Sequence, residues 1–268
     1  MDVLATDDPR VVLERAGAWL AGDPIRNNVL LTLLNARVAL PLPGRYWVVG
    51  AEPAGVVFQS PTTFFCLVSA MPGECIEAAV GAIAGADVAL PGVNGEAGTA
   101  AMFAGAWTET TKSSARPLQG QRIYEVREVV EPRGVPGRFR PATIDDEGLL
   151  VEWTGAFLAD IGDVGDASAI VAHRLPLGHF WLWDDGAAVS VAALSKPTSG
   201  VVRVQHVYTP ETLRGRGYAS GCVAALSTRA LQHSRCILYT DLANATSNSV
   251  YRSIGYRAVA EVLRYRFD

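Results

Sequence analysis

Apolar positions along this chain switch between the period of a strand and the period of a helix, and they do so in a similar order in each half. In the C-terminal half, Phe139-Arg140-Pro141-Ala142 reads as a strand. Thr143 and Asp146 then form a capping arrangement for a helix whose apolar stripe includes Leu150, Trp153 and Phe157. Gly162–Asp166 breaks that helix, and Ala167 to Arg174 predicts a short second one. Strands follow at His179–Trp183, Ala187–Leu194 and Val201–Tyr208, with Asp184-Asp185-Gly186 as a tight turn between the first two. Ala219, Cys222, Val223, Leu226 and Ala230 recur at helical spacing. A strand at Cys236–Asp241, a helix between Asn244 and Tyr256, and a closing strand at Val262–Phe267 complete the half.

The N-terminal half repeats the back part of that order in weaker form. Arg45–Val49 and Gly55–Gln59 predict a hairpin, Phe64–Val68 a further strand and Cys75–Ile83 a helix. Asp87–Leu90 then predicts a strand, Gly98–Trp107 a helix and Arg122–Val130 a closing strand. The breaker cluster Glu131-Pro132-Arg133-Gly134-Val135-Pro136-Gly137 stands between the halves. The expected organisation is therefore a domain at 1–130, a linker at 131–137 and a domain at 138–268.

Composition narrows the function classes. With 49% hydrophobic and 19% charged residues among 268, the chain has the means to build packed cores and no signature of extended disorder. A formal charge of −4 supplies no basic field for nucleic acid, so any anion site must be local. No run approaches the ~20 apolar residues of a membrane span and no signal pattern opens the chain, which points to a cytoplasmic protein. Cys66, Cys75, Cys222 and Cys236 lie in apolar runs without metal-ligand spacing, so they read as structural thiols.

The strongest chemical signal is the passage from the strand Val204–Tyr208 through Thr209-Pro210-Glu211-Thr212-Leu213 into Arg214-Gly215-Arg216-Gly217-Tyr218-Ala219 and a helix. Strand, basic glycine-rich turn and helix N-terminus together form a backbone cradle for a pyrophosphate, because closely spaced glycines admit the ligand and amide N–H groups converge on it. Gly-x-Gly alone reads equally as a glycine-rich start to a helix. The lysine and hydroxyl of a Gly-x-x-x-x-Gly-Lys-Ser/Thr loop are missing, which argues against a nucleotide site.

These residues resemble the GNAT superfamily of acyl-CoA-dependent N-acyltransferases, whose Arg/Gln-x-x-Gly-x-Gly/Ala signature is filled by Arg214, Gly217 and Ala219. Asn244, Tyr251 and Gly255-Tyr256 match a second family element. The resemblance implies an α/β (α+β) fold with a mixed, mostly antiparallel sheet flanked by helices, and two such domains in tandem. It implies that acetyl-CoA is the co-substrate. The pyrophosphate would lie on the amides of Arg216 to Ala219 and the Ser220 hydroxyl, with Arg214 and Arg216 as charged partners or as surface charge. Gly215, Gly217 and Tyr218 would shape that turn. Val207, Tyr208 and Thr209 would offer strand groups to the pantetheine arm, the Val207 amide facing the thioester oxygen unless it is plain strand core. Asn244, Ser247 and Asn248 would contact the cofactor or cap their helix. Tyr251 would protonate the leaving thiolate.

In the N-terminal half the equivalent turn is Ser69-Ala70-Met71-Pro72-Gly73-Glu74, which has one glycine, no arginine and an acidic residue, so no cofactor site is expected there. The general base is not legible. His206 and a water relay to a carboxylate are the two candidates, and Asp160, Asp163 and Asp166 form an acidic loop that would attract a cation or simply be solvated. The reading that follows is an N-acetyltransferase acting on a small-molecule or peptide amine by direct transfer, with no nucleic-acid or membrane partner. Its alternative is a non-catalytic acyl-CoA-binding regulatory module.

Overall fold

The computed structural model describes the whole chain, Met1–Asp268. Its elements in order are β1 (Val3–Thr6), α1 (Pro9–Gly22), α2 (Asn28–Ala39), β2 (Arg45–Val49), β3 (Gly55–Gln59), β4 (Cys66–Val68), α3 (Gly73–Gly85), β5 (Gly92–Glu96), α4 (Ala97–Thr111) and β6 (Ala115–Val126). They continue with β7 (Arg138–Pro141), α5 (Glu147–Asp160), α6 (Ala167–Arg174), β8 (Phe180–Asp184), β9 (Ala188–Leu194), β10 (Val201–Tyr208), α7 (Tyr218–Leu231), β11 (Arg235–Asp241), α8 (Ala245–Ser253) and β12 (Arg257–Phe267). They fall into two compact units. One comprises Met1–Ile123, Thr240–Ala243 and Val259–Asp268, and the other Tyr124–Tyr239 and Asn244–Ala258.

In the first unit the strands run in the order β1-β2-β3-β4-β5-β12-β6. The β4/β5 pair is parallel, whereas β1/β2, β2/β3, β3/β4 and β5/β12 are antiparallel. One face carries α1 and α2 over Tyr46, Val48, Val56 and Phe58, and the other packs Trp47, Val49, Val57, Cys66 and Val68 with residues of α3 and α4. That division follows from the two-residue alternation of β2 and β3.

Three features of this unit depart from the sequence expectations. First, β1, α1 and α2 precede Arg45, where the sequence reading begins its repeat. Helix α1 has a legible start, with Pro9 in its first turn and the Asp8 carboxylate accepting the Arg10 N–H at 2.8 Å. Helix α2, by contrast, is apolar on most sides and shows no distinct stripe. Second, the strand expected at Asp87–Leu90 lies instead at Gly92–Glu96, whose two glycines read as breakers. Both are there for close approach: a Cβ on Gly92 would collide with the Tyr265 carbonyl, and one on Gly95 with the Val68 side chain. Third, the last strand, expected to close the C-terminal domain, pairs with β5 from Val262↔Glu96 to Arg266↔Gly92. Its alternate residues Tyr265 and Phe267 pack into the first unit's core, where Phe267 stacks on Trp107 at 5.6 Å between ring centres.

In the second unit the strands run in the order β11-β10-β9-β8-β7, antiparallel except for the parallel β10/β11 pair. Helix α7 covers one face, burying Cys222, Val223 and Leu226 against Val202, Val204, Cys236 and Leu238. Leu150 and Trp153 of α5 and Val171 of α6 cover the other, against Phe180, Leu182 and Val191. The Thr143 N–H donates to Asp146 at 2.8 Å, completing the cap expected ahead of α5. All four cysteines are buried and unpaired, as structural thiols should be.

Candidate active site

The site takes shape where β10 leaves its parallel neighbour. The β10/β11 ladder runs from Val201↔Arg235 to Val204↔Leu238, and β10 then continues to Tyr208. On its other edge, the register against β9 shifts between Gln205 and Tyr208. The cause is His206, a non-glycine residue held at φ 59° in the left-handed region. An extra residue of this kind bends a strand and increases its twist, so the backbone groups after Val204 are not spent on the β11 ladder.

Packing accounts for the strained residue. The His206 ring lies 4.4 Å from that of Phe157 and 5.6 Å, edge-on, from that of Phe180. Its Nε2 is 3.0 Å from Thr154 Oγ1 on α5. Burial, assisted by the positive charge of Arg174, pushes the imidazole down to about 4, so it is neutral at pH 7.

Beyond Tyr208 the chain is tied down before it reaches the turn. Thr209 Oγ1 donates to Ser190 Oγ at 2.9 Å, and Ser190 Oγ donates to the Tyr208 carbonyl at 3.1 Å. Arg214 Nε donates to the Thr209 carbonyl at 2.9 Å while its Nη2 reaches Asp160 at 2.8 Å. Gly215 and Gly217 then adopt φ of 78° and 83°, and α7 begins at Tyr218. The first bond of the helix is Gly221 N–H to the Gly217 carbonyl at 2.9 Å. The amides of Tyr218, Ala219 and Ser220 therefore occupy the first turn, where the positive end of the helix dipole and unspent N–H groups coincide. The Tyr218 side chain points away into the protein, its phenol donating to Asp185 at 2.7 Å. Arg216 is exposed beside the turn.

Helix α8 brings in the second set of expected residues. Asn244 is its N-cap, its Oδ1 accepting the Ser247 N–H at 2.9 Å. Asn248 is 4% exposed. Its Oδ1 accepts the Tyr124 hydroxyl at 2.9 Å and its Nδ2 donates to the Asn244 carbonyl at 2.8 Å. The Asn248 side chain is thus committed inside the protein, while exposed Asn244 caps the helix that carries Tyr251 from its surface end. Tyr251 is 8% exposed. Burial pushes its phenol up to about 12, with a hydrogen bond to Ser247 as a smaller opposing effect.

The acidic loop is partly spoken for as well. Asp160 pairs with Arg214, and Asp166 caps α6 by accepting the Ala169 N–H at 3.0 Å. Thr154, Phe157, Asp185 and Val135 are not among the expected site residues, and Asp160 is expected only as part of an acidic loop and not as the partner of Arg214, because each meets the site through tertiary contact. Val135 shows this most directly: a Cβ on Gly217 would stand 2.9 Å from its Cγ2.

Residues 147–256 match the model of the acetyltransferase (GNAT) family. No curated protein sequence matches the chain. Among solved structures, an acetyltransferase from the GNAT family of Colwellia psychrerythraea superimposes with a TM-score of 0.69 at 9% identity, covering 100% of both chains. A GCN5-related N-acetyltransferase from Sphaerobacter thermophilus gives a TM-score of 0.66 at 14% identity over 98% of this chain and 95% of that one. A GCN5-related N-acetyltransferase from Kribbella flavida gives 0.56 at 18% identity over 90% of this chain and 95% of the other. At such identities the likeness speaks for the fold, and it extends through the N-terminal half. Residues 147–256 are therefore a domain of the GNAT family, whose members transfer acyl groups from acyl-CoA, in a chain that has the GNAT fold along its whole length.

Proposed function

We propose that the second unit is an N-acetyltransferase that moves an acetyl group from acetyl-CoA to a primary amine by direct transfer in a ternary complex. The observation that carries this reading is the end of the β10/β11 ladder at Val204↔Leu238, followed by the left-handed His206 and the glycine turn ahead of α7. A pantetheine arm needs a strand edge with which to pair, and a pyrophosphate needs convergent N–H donors. The residues present fit both needs. A Cβ position on Gly215 meets nothing within 4 Å, so the turn has room for a ligand at its surface.

In this reading the amides of Arg216 to Ala219 and the Ser220 hydroxyl hold the pyrophosphate, with exposed Arg216 as a charged partner. Arg214 shares its guanidinium between Asp160 and the Thr209 carbonyl, so its main work is to brace the turn. Tyr208 and Thr209 present strand groups to the pantetheine arm. The Val207 N–H, re-aimed by the His206 bulge, stabilises negative charge on the thioester oxygen as the amine nitrogen bonds to the carbonyl carbon. Tyr251 supplies a proton to the sulfur as the carbon–sulfur bond breaks. Its raised value keeps it protonated throughout the neutral range. His206, neutral and tied to Thr154, is a poor acceptor for an ammonium proton, which favours a water relay to a carboxylate. We assign the chemistry to the second unit, Tyr124–Tyr239 and Asn244–Ala258. In the first unit α3 begins behind Pro72 with Glu74 in its first turn, an arrangement that disfavours phosphate.

A free-thiol release assay with acetyl-CoA and a panel of amines, amino acids and peptides tests the reading. Thiol release that depends on the amine, with an acetylated product 42 mass units heavier (roughly, from the added C2H2O) in the mass spectrum, is the expected result. Tight binding of acetyl-CoA with no release for any amine would favour the regulatory-module reading.

A further inference from the structure

Four residues of the first unit stand in one line of register across its sheet. Phe58 on β3 is opposite Leu67 on β4, Leu67 is opposite Asn94 on β5, and Asn94 is opposite Arg264 on β12. In-register neighbours on a pleated sheet project from the same face, so the row grades from aromatic through aliphatic and amide to guanidinium. All four line one pocket of about 450 Å³, which Leu33 of α2 and Phe64 also border. Three strand spacings of ~4.8 Å make the row roughly 14 Å long, the reach of a medium-length extended ligand.

The two polar members are short of partners in complementary ways. Asn94 Oδ1 is buried without a hydrogen-bond partner, a state that costs stability and favours a ligand carrying a donor. Arg264 is exposed, and the acidic residues nearest it along the strands are taken. Glu261 pairs with Arg122, Asp268 with Arg116, and Glu96 on β5 with Arg26. At the apolar end Phe58 is 1% exposed, and Phe64, at 62% exposure, leaves a large aromatic face in water.

We propose that this pocket binds an amphipathic monocarboxylate, its apolar body along Phe58 and Leu67 beneath Leu33 and its carboxylate on the Arg264 guanidinium. A planar fork matches a carboxylate in two hydrogen bonds, which a point charge would not. A hydroxyl close to the carboxylate gains the Asn94 Oδ1 acceptor in addition. The site lies within the first unit and is independent of the acyl transfer assigned to the second.

The test uses the full chain without any acyl-CoA and three probes: decanoate, 3-hydroxydecanoate and decylamine, each below its micelle concentration. Ligand-observed saturation-transfer spectra and calorimetry should show both carboxylates binding, the hydroxylated one several-fold tighter, and decylamine not competing. Arg264→Gln, on an exposed position, should weaken decanoate roughly ten-fold or more, in line with the loss of a charge-assisted pair. Leu67→Trp should abolish binding by filling the pocket, and the arginine variant gives an independent reading if that core change impairs folding. Equal affinity of decanoate for the Arg264→Gln and native chains, equal binding of decylamine, or no transfer to either carboxylate would each overturn the proposal.

Discussion

His206 Nε2 and Thr154 Oγ1 stand 3.0 Å apart in the core of the second unit, and this contact holds the left-handed residue at the β10/β9 register shift, two residues beyond the last β10/β11 pair. It also makes the fold sensitive to acid. The folded imidazole titrates at about 4 against an ordinary 6.5, so between those values the unfolded chain binds more protons than the folded one. Stability is complete above pH 6.5 and declines as pH falls towards 4, by about 3 kcal/mol for a shift of that size. His206→Asn retains a side chain that tolerates the left-handed region and removes the titration. Urea unfolding at pH 7 and pH 4.5 should therefore show a shallower loss in the variant than in the native chain. An identical loss in both would mean that the imidazole is not held neutral.

Gly217 is constrained twice, by its φ of 83° and by Val135 on the side where a Cβ would point. Gly217→Ala is expected to lower stability by ~1–3 kcal/mol, through left-handed strain together with displacement of the 132–137 segment. Adding Val135→Ala should recover the contact portion and leave the strain portion. Thermal unfolding separates the two, and acetyl-CoA calorimetry on the double variant then asks whether the turn still receives a pyrophosphate.

What the sequence makes legible divides along physical lines. Local chemistry reads through: the glycine turn, the α7 stripe, the Thr143/Asp146 cap and the β10 strand all rest on neighbours within a few residues, and each lies where the pattern puts it. Long-range pairing does not. β12 carries the same alternation whichever sheet it joins, and only the fit of Tyr265 and Phe267 against Trp107 and its neighbours decides. Gly92 and Gly95 read as breakers because close strand approach is a tertiary fact. Within the site, the turn is visible but its supports are not. Nothing in the order of residues couples Asp160 to Arg214, or reveals that Asn248 spends its amide on Tyr124 and Asn244.

Arg214 and Asp160 have side chains 50% and 53% exposed, so their ion pair is screened and of little intrinsic worth. Asp160→Asn should change stability by less than about 1 kcal/mol. Arg214→Gln also removes the bond to the Thr209 carbonyl that shapes the turn. It should therefore raise the Kd for acetyl-CoA by more than Asp160→Asn does. Arg216→Gln, by contrast, should weaken binding with a reduced dependence on ionic strength, because its contribution is charge at an exposed position. Calorimetry at two salt concentrations distinguishes a brace from a direct phosphate partner.

Tyr251 is the sharpest test of chemistry as opposed to binding. Its ring packs with Tyr256 at 6.1 Å between centres, and burial raises its phenol to about 12. Tyr251→Phe keeps that ring in place and removes only the hydroxyl, so the cofactor's Kd should be unchanged. Turnover should fall by ~10²–10³, the range expected when a positioned general acid is lost. The pH profile adds an independent check, since a phenol near 12 imposes no alkaline limb between pH 7 and about 10. If kcat in the phenylalanine variant equals that of the native enzyme, the proton reaches the departing thiolate from water, and Tyr251 acts only as part of the core against which β11 and α8 pack.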